Sequence, residues 1–224
     1  SNIEAKELFP EIVGSSAAMR HIFTQIMKVA ATDSTVLICG ESGTGKELIA
    51  SSIYQHSTRK GRPFVKINCA ALPRELIESE LFGSVKGAYT GAQADREGLF
   101  RQAEGGTLLL DELSEMPADT QSKLLRVLQE KEVRPVGGRS SYKMDCRVIA
   151  STNRAVEEAL REGRLREDLY YRISAIAVHL PPLRERREDI LPLAMAFLKR
   201  FAAQADRLIN GFSPTASDRL HKFD

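Results

Sequence analysis

The sequence predicts an α/β fold, a parallel sheet of five strands with helices on both faces. Two features predict it. Short apolar runs alternate along the chain with longer segments whose apolar residues recur at helical spacing. Two of these runs, 36–39 and 107–110, are uniformly apolar, as strands covered on both sides must be, and each ends abruptly in glycine or acid.

Residues 17–31 place Met19, Ile22, Phe23, Ile26, Met27 and Ala30 on one helical face. Val36–Cys39 reads as a buried strand running into a Gly-rich turn. A helix is expected over 47–56, a strand over Phe64–Asn68, and a helix from Pro73 to residue 82, since proline suits a first turn. A Gly- and Ala-rich loop occupies 83–94. The strand at 107–110 ends in Asp111-Glu112. An amphipathic helix follows over 118–130, with Leu124, Leu125, Val127 and Leu128 inward. Gly137-Gly138 sits between two extended pieces, a hairpin pattern, before a strand at 147–151. A short helix at 155–162, a strand at 175–180, the Pro181-Pro182 break and a helix at 188–203 complete the series.

The expected organisation is a tag remnant or linker over 1–9, the α/β unit over 10–180, and the start of a truncated helical subdomain over 181–224. A length of 224 residues holds one full domain and part of a second. The net charge of +2 supplies no global field that would draw the chain onto nucleic acid or anionic lipid. No apolar run reaches the roughly 20 residues of a membrane helix, so a cytoplasmic protein with no membrane role is expected. Cys39, Cys69 and Cys146 lie far apart in apolar runs, the pattern of small buried thiols rather than of a zinc site.

Gly40-Glu41-Ser42-Gly43-Thr44-Gly45-Lys46 fits G-x-x-x-x-G-K between a strand and a helix, the context in which that pattern cradles phosphate. The glycines let backbone N–H groups turn inward, and the helix that begins there adds its dipole. Lys46 supplies charge to the outer phosphates. The expected ligand is ATP or another purine nucleoside triphosphate with Mg²⁺. The position after the lysine, where Ser or Thr normally reaches the metal, is Glu47. The metal must then rely on Asp111, phosphate oxygens and water, or on a hydroxyl such as that of Thr44.

Asp111 and Glu112 end a buried strand at the edge where ligands of open α/β sheets gather. Asp111 is expected to hold Mg²⁺, and Glu112 to orient and deprotonate the attacking water. Ser151-Thr152-Asn153 ends a neighbouring strand, where a polar group either contacts the γ-phosphate or water or merely forms a turn. In Gly87-Ala88-Tyr89-Thr90-Gly91-Ala92 an aromatic sits among small residues with no periodic apolar neighbours to bury it. That pattern fits a partner-gripping loop, and equally an ordinary surface turn.

These motifs together resemble the AAA+ ATPases, and within them the activators of the sigma-54 form of bacterial RNA polymerase. The resemblance also rests on Asn68-Cys69-Ala70-Ala71-Leu72, Glu80-Leu81-Phe82-Gly83, Lys123-Leu124-Leu125-Arg126-Val127-Leu128-Gln129 and Leu180-Pro181-Pro182-Leu183-Arg184-Glu185-Arg186. A glutamate after the loop lysine is usual in that group. Residues 87–92 resemble the GAFTGA loop that grips the sigma factor, with Tyr89 where Phe is usual.

The resemblance implies further roles. Asn68 looks like the residue that restrains the catalytic glutamate. Arg166 and Arg172 match the two arginine fingers given from the neighbouring subunit, although by spacing alone they are equally solvated basic residues on one helix. It also implies a hexameric ring, a helical lid beginning after Pro182, remodelling of the closed promoter complex, and DNA contact only through a domain outside this chain. Two other readings keep part of this chemistry: another AAA+ remodeller, or a nucleotide-gated scaffold without turnover.

Overall fold

The structure, a computed structural model, describes residues 9–88 and 94–223. Helix α1 (Ala17–Ala30) is followed by β1 (Val36–Cys39), α2 (Lys46–Gln55), β2 (Phe64–Asn68) and α3 (Arg74–Phe82). Then come a one-turn helix α4 (Leu99–Gln102), β3 (Thr107–Asp111) and α5 (Ala118–Glu130). The pair β4 (Glu132–Val133) and β5 (Tyr142–Lys143) precedes β6 (Arg147–Thr152), α6 (Val156–Arg161), α7 (Glu167–Ile173) and β7 (Ile176–His179). Beyond the Pro pair stand α8 (Ile190–Gln204) and α9 (Pro214–Lys222).

The main sheet has the order β2-β3-β6-β1-β7, with every neighbouring pair parallel. Alternation along the strands divides the core in two. Val36 and Ile38 of β1, Leu109 of β3 and Ile149 of β6 face α1 and α2. Leu37, Leu108, Leu110, Val148 and Ala150 face α3, α5, α6 and α7. Helices therefore cover both faces, as the uniformly apolar strands require. The expected hairpin is β4–β5, antiparallel, with Val133 opposite Tyr142.

Several expectations change in detail. The linker expected over 1–9 ends sooner: Phe9 is 3% exposed and stacks on Phe23 at 4.7 Å. Leu125 of α5 is only half-buried, while Leu124, Val127 and Leu128 are buried. The segment after the Pro pair begins with two 3₁₀ turns, Leu183–Glu185 and Arg187–Asp189, before α8 starts. The α4 turn went unread because four residues carry no period. All three cysteines are free and buried, and burial pushes their thiols up, Cys39 to about 11 and Cys69 and Cys146 to about 12. Among the described residues, no helix is long and apolar enough to cross a membrane.

The strand register sets up the site. Asn68 lies opposite Asp111, and Cys39 opposite Thr152 and His179, so the C-terminal strand ends share one edge. The loop after Cys39, the acid pair after Leu110 and the polar end of β6 all emerge there.

Candidate functional site

The phosphate loop is held by its own residues and by the two strands flanking β1. Gly40 N–H donates to the Thr152 carbonyl at 3.2 Å, and Leu180 N–H to the Cys39 carbonyl at 2.8 Å. A Cβ at Gly40 would meet the Leu180 carbonyl and the Thr44 hydroxyl, each at 2.9 Å, so only glycine fits between them. Gly43 and Gly45 adopt φ of +79° and +102°, the left-handed region that glycine enters without cost. A Cβ at Gly43 would meet nothing within 4 Å, so at this position the positive φ, and not crowding, favours glycine.

Lys46 opens α2 and is 7% exposed. Its Nζ donates to the carbonyls of Gly40 and Glu41 at 2.9 and 3.0 Å. The ammonium group is thereby folded under the loop, near enough to Glu112 to attract its carboxylate. The first N–H groups of α2 lack intrahelical partners and face the same region.

Glu47, expected in the ligand-binding set, pairs with Lys66 of β2 at 2.7 Å, a contact open to solvent. Thr44, offered as a metal hydroxyl, donates its Oγ1 to the Glu41 carbonyl at 2.8 Å. Both side chains are engaged within the chain.

Asp111 and Glu112 behave differently although adjacent. The Asp111 carboxylate accepts the Ser151 hydroxyl on one oxygen, and the Asn68 amide at 3.4 Å on the other. Asn68 thus points at Asp111 and not at Glu112, while its own Oδ1 accepts Ala70 N–H at 2.9 Å. Glu112 has the left-handed backbone φ 56°, ψ 49°, uncommon for a residue with a Cβ. Strain of this kind gathers at functional sites. The Glu112 N–H donates to the Ser151 hydroxyl oxygen at 3.3 Å, and its Oε2 is buried without a hydrogen bond.

Burial raises the Glu112 carboxyl above its usual range, Asp111 adds repulsion, and attraction from Lys46 and the Asn153 N–H oppose the rise. Asn153 Oδ1 is likewise buried and unpartnered. Two orphaned acceptors from neighbouring strand ends fit a site completed by a donor such as water. Thr152 is buried, with its hydroxyl shared between Ser114 and the Arg154 N–H. Among the described residues no cluster of three or more His, Cys, Asp or Glu can hold a metal. A metal here would need the oxygens of a phosphate ligand beside Asp111.

Replacing Glu112 by Gln removes a partly buried charge, one of whose oxygens, Oε2, has no hydrogen-bond partner. It is expected to stabilise the nucleotide-free chain by about 1 kcal/mol near neutral pH, a rise in Tm of about 2–4 °C. The sign in pH follows from the raised carboxyl. The folded chain holds the proton more tightly, so this group's stabilising contribution is full below 4.5 and is lost as pH rises through the folded value. The advantage of the Gln variant should therefore vanish near pH 4 in thermal melts. An advantage that grows on acidification would contradict the burial account.

Arg166 and Arg172 do not share a helix. Arg166 is the extended residue before α7 (φ −71°, ψ 136°), and Arg172 lies in its last turn. Arg166 is exposed and pairs with Asp168 at 2.9 Å. Arg172 donates to the Leu128 carbonyl at the C-terminal end of α5, at 2.8 Å. Neither touches the loop, Asp111 or Glu112 among the described contacts. Gly87 and Ala88 lie at the edge of the described residues, and Tyr89, Thr90, Gly91 and Ala92 lie outside them. The base of that segment is fastened by Ser84, which bridges to Arg96 and to Val136.

Ser151, Arg184 and Arg186 are site neighbours to which sequence reasoning assigned no role. Arg184 forms a forked pair with Glu41, and Arg186 donates to the Thr44 carbonyl. Their available signal was two arginines directly after the Pro pair.

Comparison with known proteins agrees with this geometry. The Sigma-54 interaction domain family matches residues 12–179. The chain is 50% identical over 213 residues to the transcriptional regulatory protein ZraR of Salmonella typhimurium, covering 95% of this chain and 48% of that protein. It is 53% identical over 209 residues to the regulatory protein AtoC of Escherichia coli, covering 93% and 45%. NtrX from Brucella abortus, solved in complex with ADP, superposes with a TM-score of 0.86 at 39% identity, covering 98% of this chain and 48% of that one. NtrX has also been solved with ATP. The chain thus spans about half the length of these relatives. With three quarters of its residues inside the family match and this loop-and-carboxylate edge, the chain belongs to the Sigma-54 interaction domain family.

Proposed function

We propose that the chain binds ATP with Mg²⁺, hydrolyses it, and uses the cycle to engage sigma-54 and remodel the closed promoter complex. The observation that carries the reading is the meeting, on one sheet edge, of a lysine-bearing phosphate loop with a buried, unpartnered Glu112 oxygen. Family membership and the ADP and ATP complexes of NtrX support it.

Gly40, Glu41, Ser42, Gly43, Thr44 and Gly45 would surround the β-phosphate through backbone N–H groups. Lys46 Nζ, released from the Gly40 and Glu41 carbonyls, would reach the β- and γ-phosphates. Asp111 would hold Mg²⁺, the metal supplying charge neutralisation at the phosphate oxygens when bound. Glu112 Oε2 would take a proton from the attacking water. Thr152 and Asn153 would orient that water or the γ-phosphate, and Asn68, now on Asp111, would shift between the two carboxylates. Arg166 and Arg172 of a neighbouring subunit would complete the site in a hexameric ring. Residues 87–92 would carry the state of the site to the sigma factor, through a base fastened at Ser84.

Two variants separate the parts. Lys46→Ala should weaken ATP binding by at least about 100-fold, since a charge-assisted contact to two phosphates is lost. Retained affinity in a calorimetric titration would overturn the loop assignment. Tyr89→Ala should keep ATP turnover within about twofold while a hot-spot aromatic contact with sigma-54 is lost. A pull-down with an ATP transition-state analogue in which sigma-54 still binds would refute the partner loop.

A further inference from the structure

The 3₁₀ turns after the Pro pair reach back to the phosphate loop at two points. Arg184 pairs with Glu41, but both side chains are about half-exposed, so water and salt screen the contact. Arg186 is different, being only 8% exposed. One of its terminal nitrogens donates to the Thr44 carbonyl at 3.1 Å and the other lies 2.9 Å from Met19 Sδ of α1. Its Nε is buried without a partner.

Asp189, fully buried three residues on, attracts the guanidinium but gives its oxygens elsewhere. They accept Ser15 N–H at 2.6 Å, Ser16 N–H at 2.9 Å and the Ser16 hydroxyl at 2.6 Å. Among the described residues, Arg186 is thus a buried cation whose one oxygen partner is the Thr44 carbonyl of the 40–46 loop. Burying a charge so thinly partnered costs stability. Stability alone is a poor reason for its presence.

The peptide joining Thr44 to Gly45 is trans, so its C=O and N–H point in opposite directions. A donor that fixes the Thr44 carbonyl fixes the Gly45 N–H on the other side. Gly45 is the last glycine before Lys46, at φ +102°, where the backbone could otherwise flip readily.

We infer that Arg186 is a positioning residue for the triphosphate: by holding the Thr44 carbonyl it turns the Gly45 N–H into the phosphate cradle. The inference rests on the reading of 40–46 as a phosphate loop. Asp189 in turn anchors the 183–189 turn to the start of α1, so the loop is braced from the entry to α1 and from the turn before α8 at once.

The test is ATP and adenosine affinity in Arg186→Met and Arg186→Lys, by calorimetry for ATP and ligand-observed NMR for adenosine. Arg186→Met should weaken ATP about tenfold, as for one lost ligand hydrogen bond from a charged cradle. Adenosine, which has no phosphates, should stay within about twofold. Arg186→Lys keeps the charge without the planar fork and should fall between, about threefold weaker for ATP.

Equal losses for ATP and adenosine would mark Arg186 as merely structural and overturn the inference. So would unchanged ATP affinity in either folded variant. If Arg186→Met does not fold, Arg186→Lys carries the same decision alone. Wild-type chain that binds no ATP would instead refute the phosphate-loop reading itself.

Discussion

Glu112→Gln is expected to lower ATP turnover by about 10²- to 10⁴-fold, the usual contribution of a positioned general base, while ATP affinity stays within about threefold. The amide preserves the shape of the side chain and cannot accept a proton. Asp111 is assigned to Mg²⁺ in the proposed site, and its oxygens also accept the Ser151 hydroxyl and the Asn68 amide. Of the two carboxylates, Glu112 is the one with an oxygen, Oε2, that is both buried and unengaged.

The same substitution is expected to raise thermal stability, so activity and stability should move in opposite directions. That combination marks a residue retained for chemistry at a cost to folding. A structural carboxylate would lose both. Burial also places the acid limb of the rate profile above the ordinary glutamate range, since the base form must be present for turnover. Wild-type turnover in the Gln variant, measured as phosphate release at saturating ATP, would place the base on another residue.

Much of this site was legible before any coordinates. The loop 40–46 carries its own context, because a buried strand, glycines and a lysine at a helix start have few other uses together. Asp111-Glu112 was legible as a ligand-edge pair for the same reason: β3 is apolar until those two residues. What distinguishes the two acids was not legible. It depends on a left-handed backbone at Glu112 and on a hydroxyl, Ser151, brought in by a strand 40 residues away.

Glu47 shows a complementary limit. Its place beside Lys46 fits the loop, but its charge is taken by Lys66 across the α2–β2 contact, which no local pattern reveals. Arg184 and Arg186 stood in a segment that carries the family resemblance but received no role, because exposed-looking arginines after a proline pair have no period that points to a partner. Their partners lie more than 140 residues earlier. Arg166 and Arg172 were placed on one helix because their spacing allows it; the extended backbone at Arg166, ahead of Glu167 and Asp168 in the first turn, starts that helix one residue too late for both to share it.

That separation makes the two arginines distinguishable. Arg166 is exposed, and its ion pair with Asp168 is open to solvent, so its side chain can leave that partner for a neighbouring subunit at little cost. Arg166→Ala should lower turnover by about 10³- to 10⁵-fold, the worth of an arginine finger in related nucleotide hydrolases, without changing the melting temperature. Arg172 also satisfies a carbonyl at the end of α5. Arg172→Ala should therefore lose turnover and, in addition, about 1 kcal/mol of stability.

Whether the finger acts across subunits is decided by mixing. Arg166→Ala keeps an intact loop, and Lys46→Ala keeps an intact Arg166, so each is inactive alone if both residues are needed. In a ring assembled at random from equal amounts, about a quarter of interfaces join an intact loop to an intact arginine. Phosphate release should then return to a comparable fraction of wild type, because each site is built from two chains. Were Arg166 to serve the nucleotide of its own chain, no pairing of these two variants could assemble a complete site, and the mixture would stay as inactive as its parts.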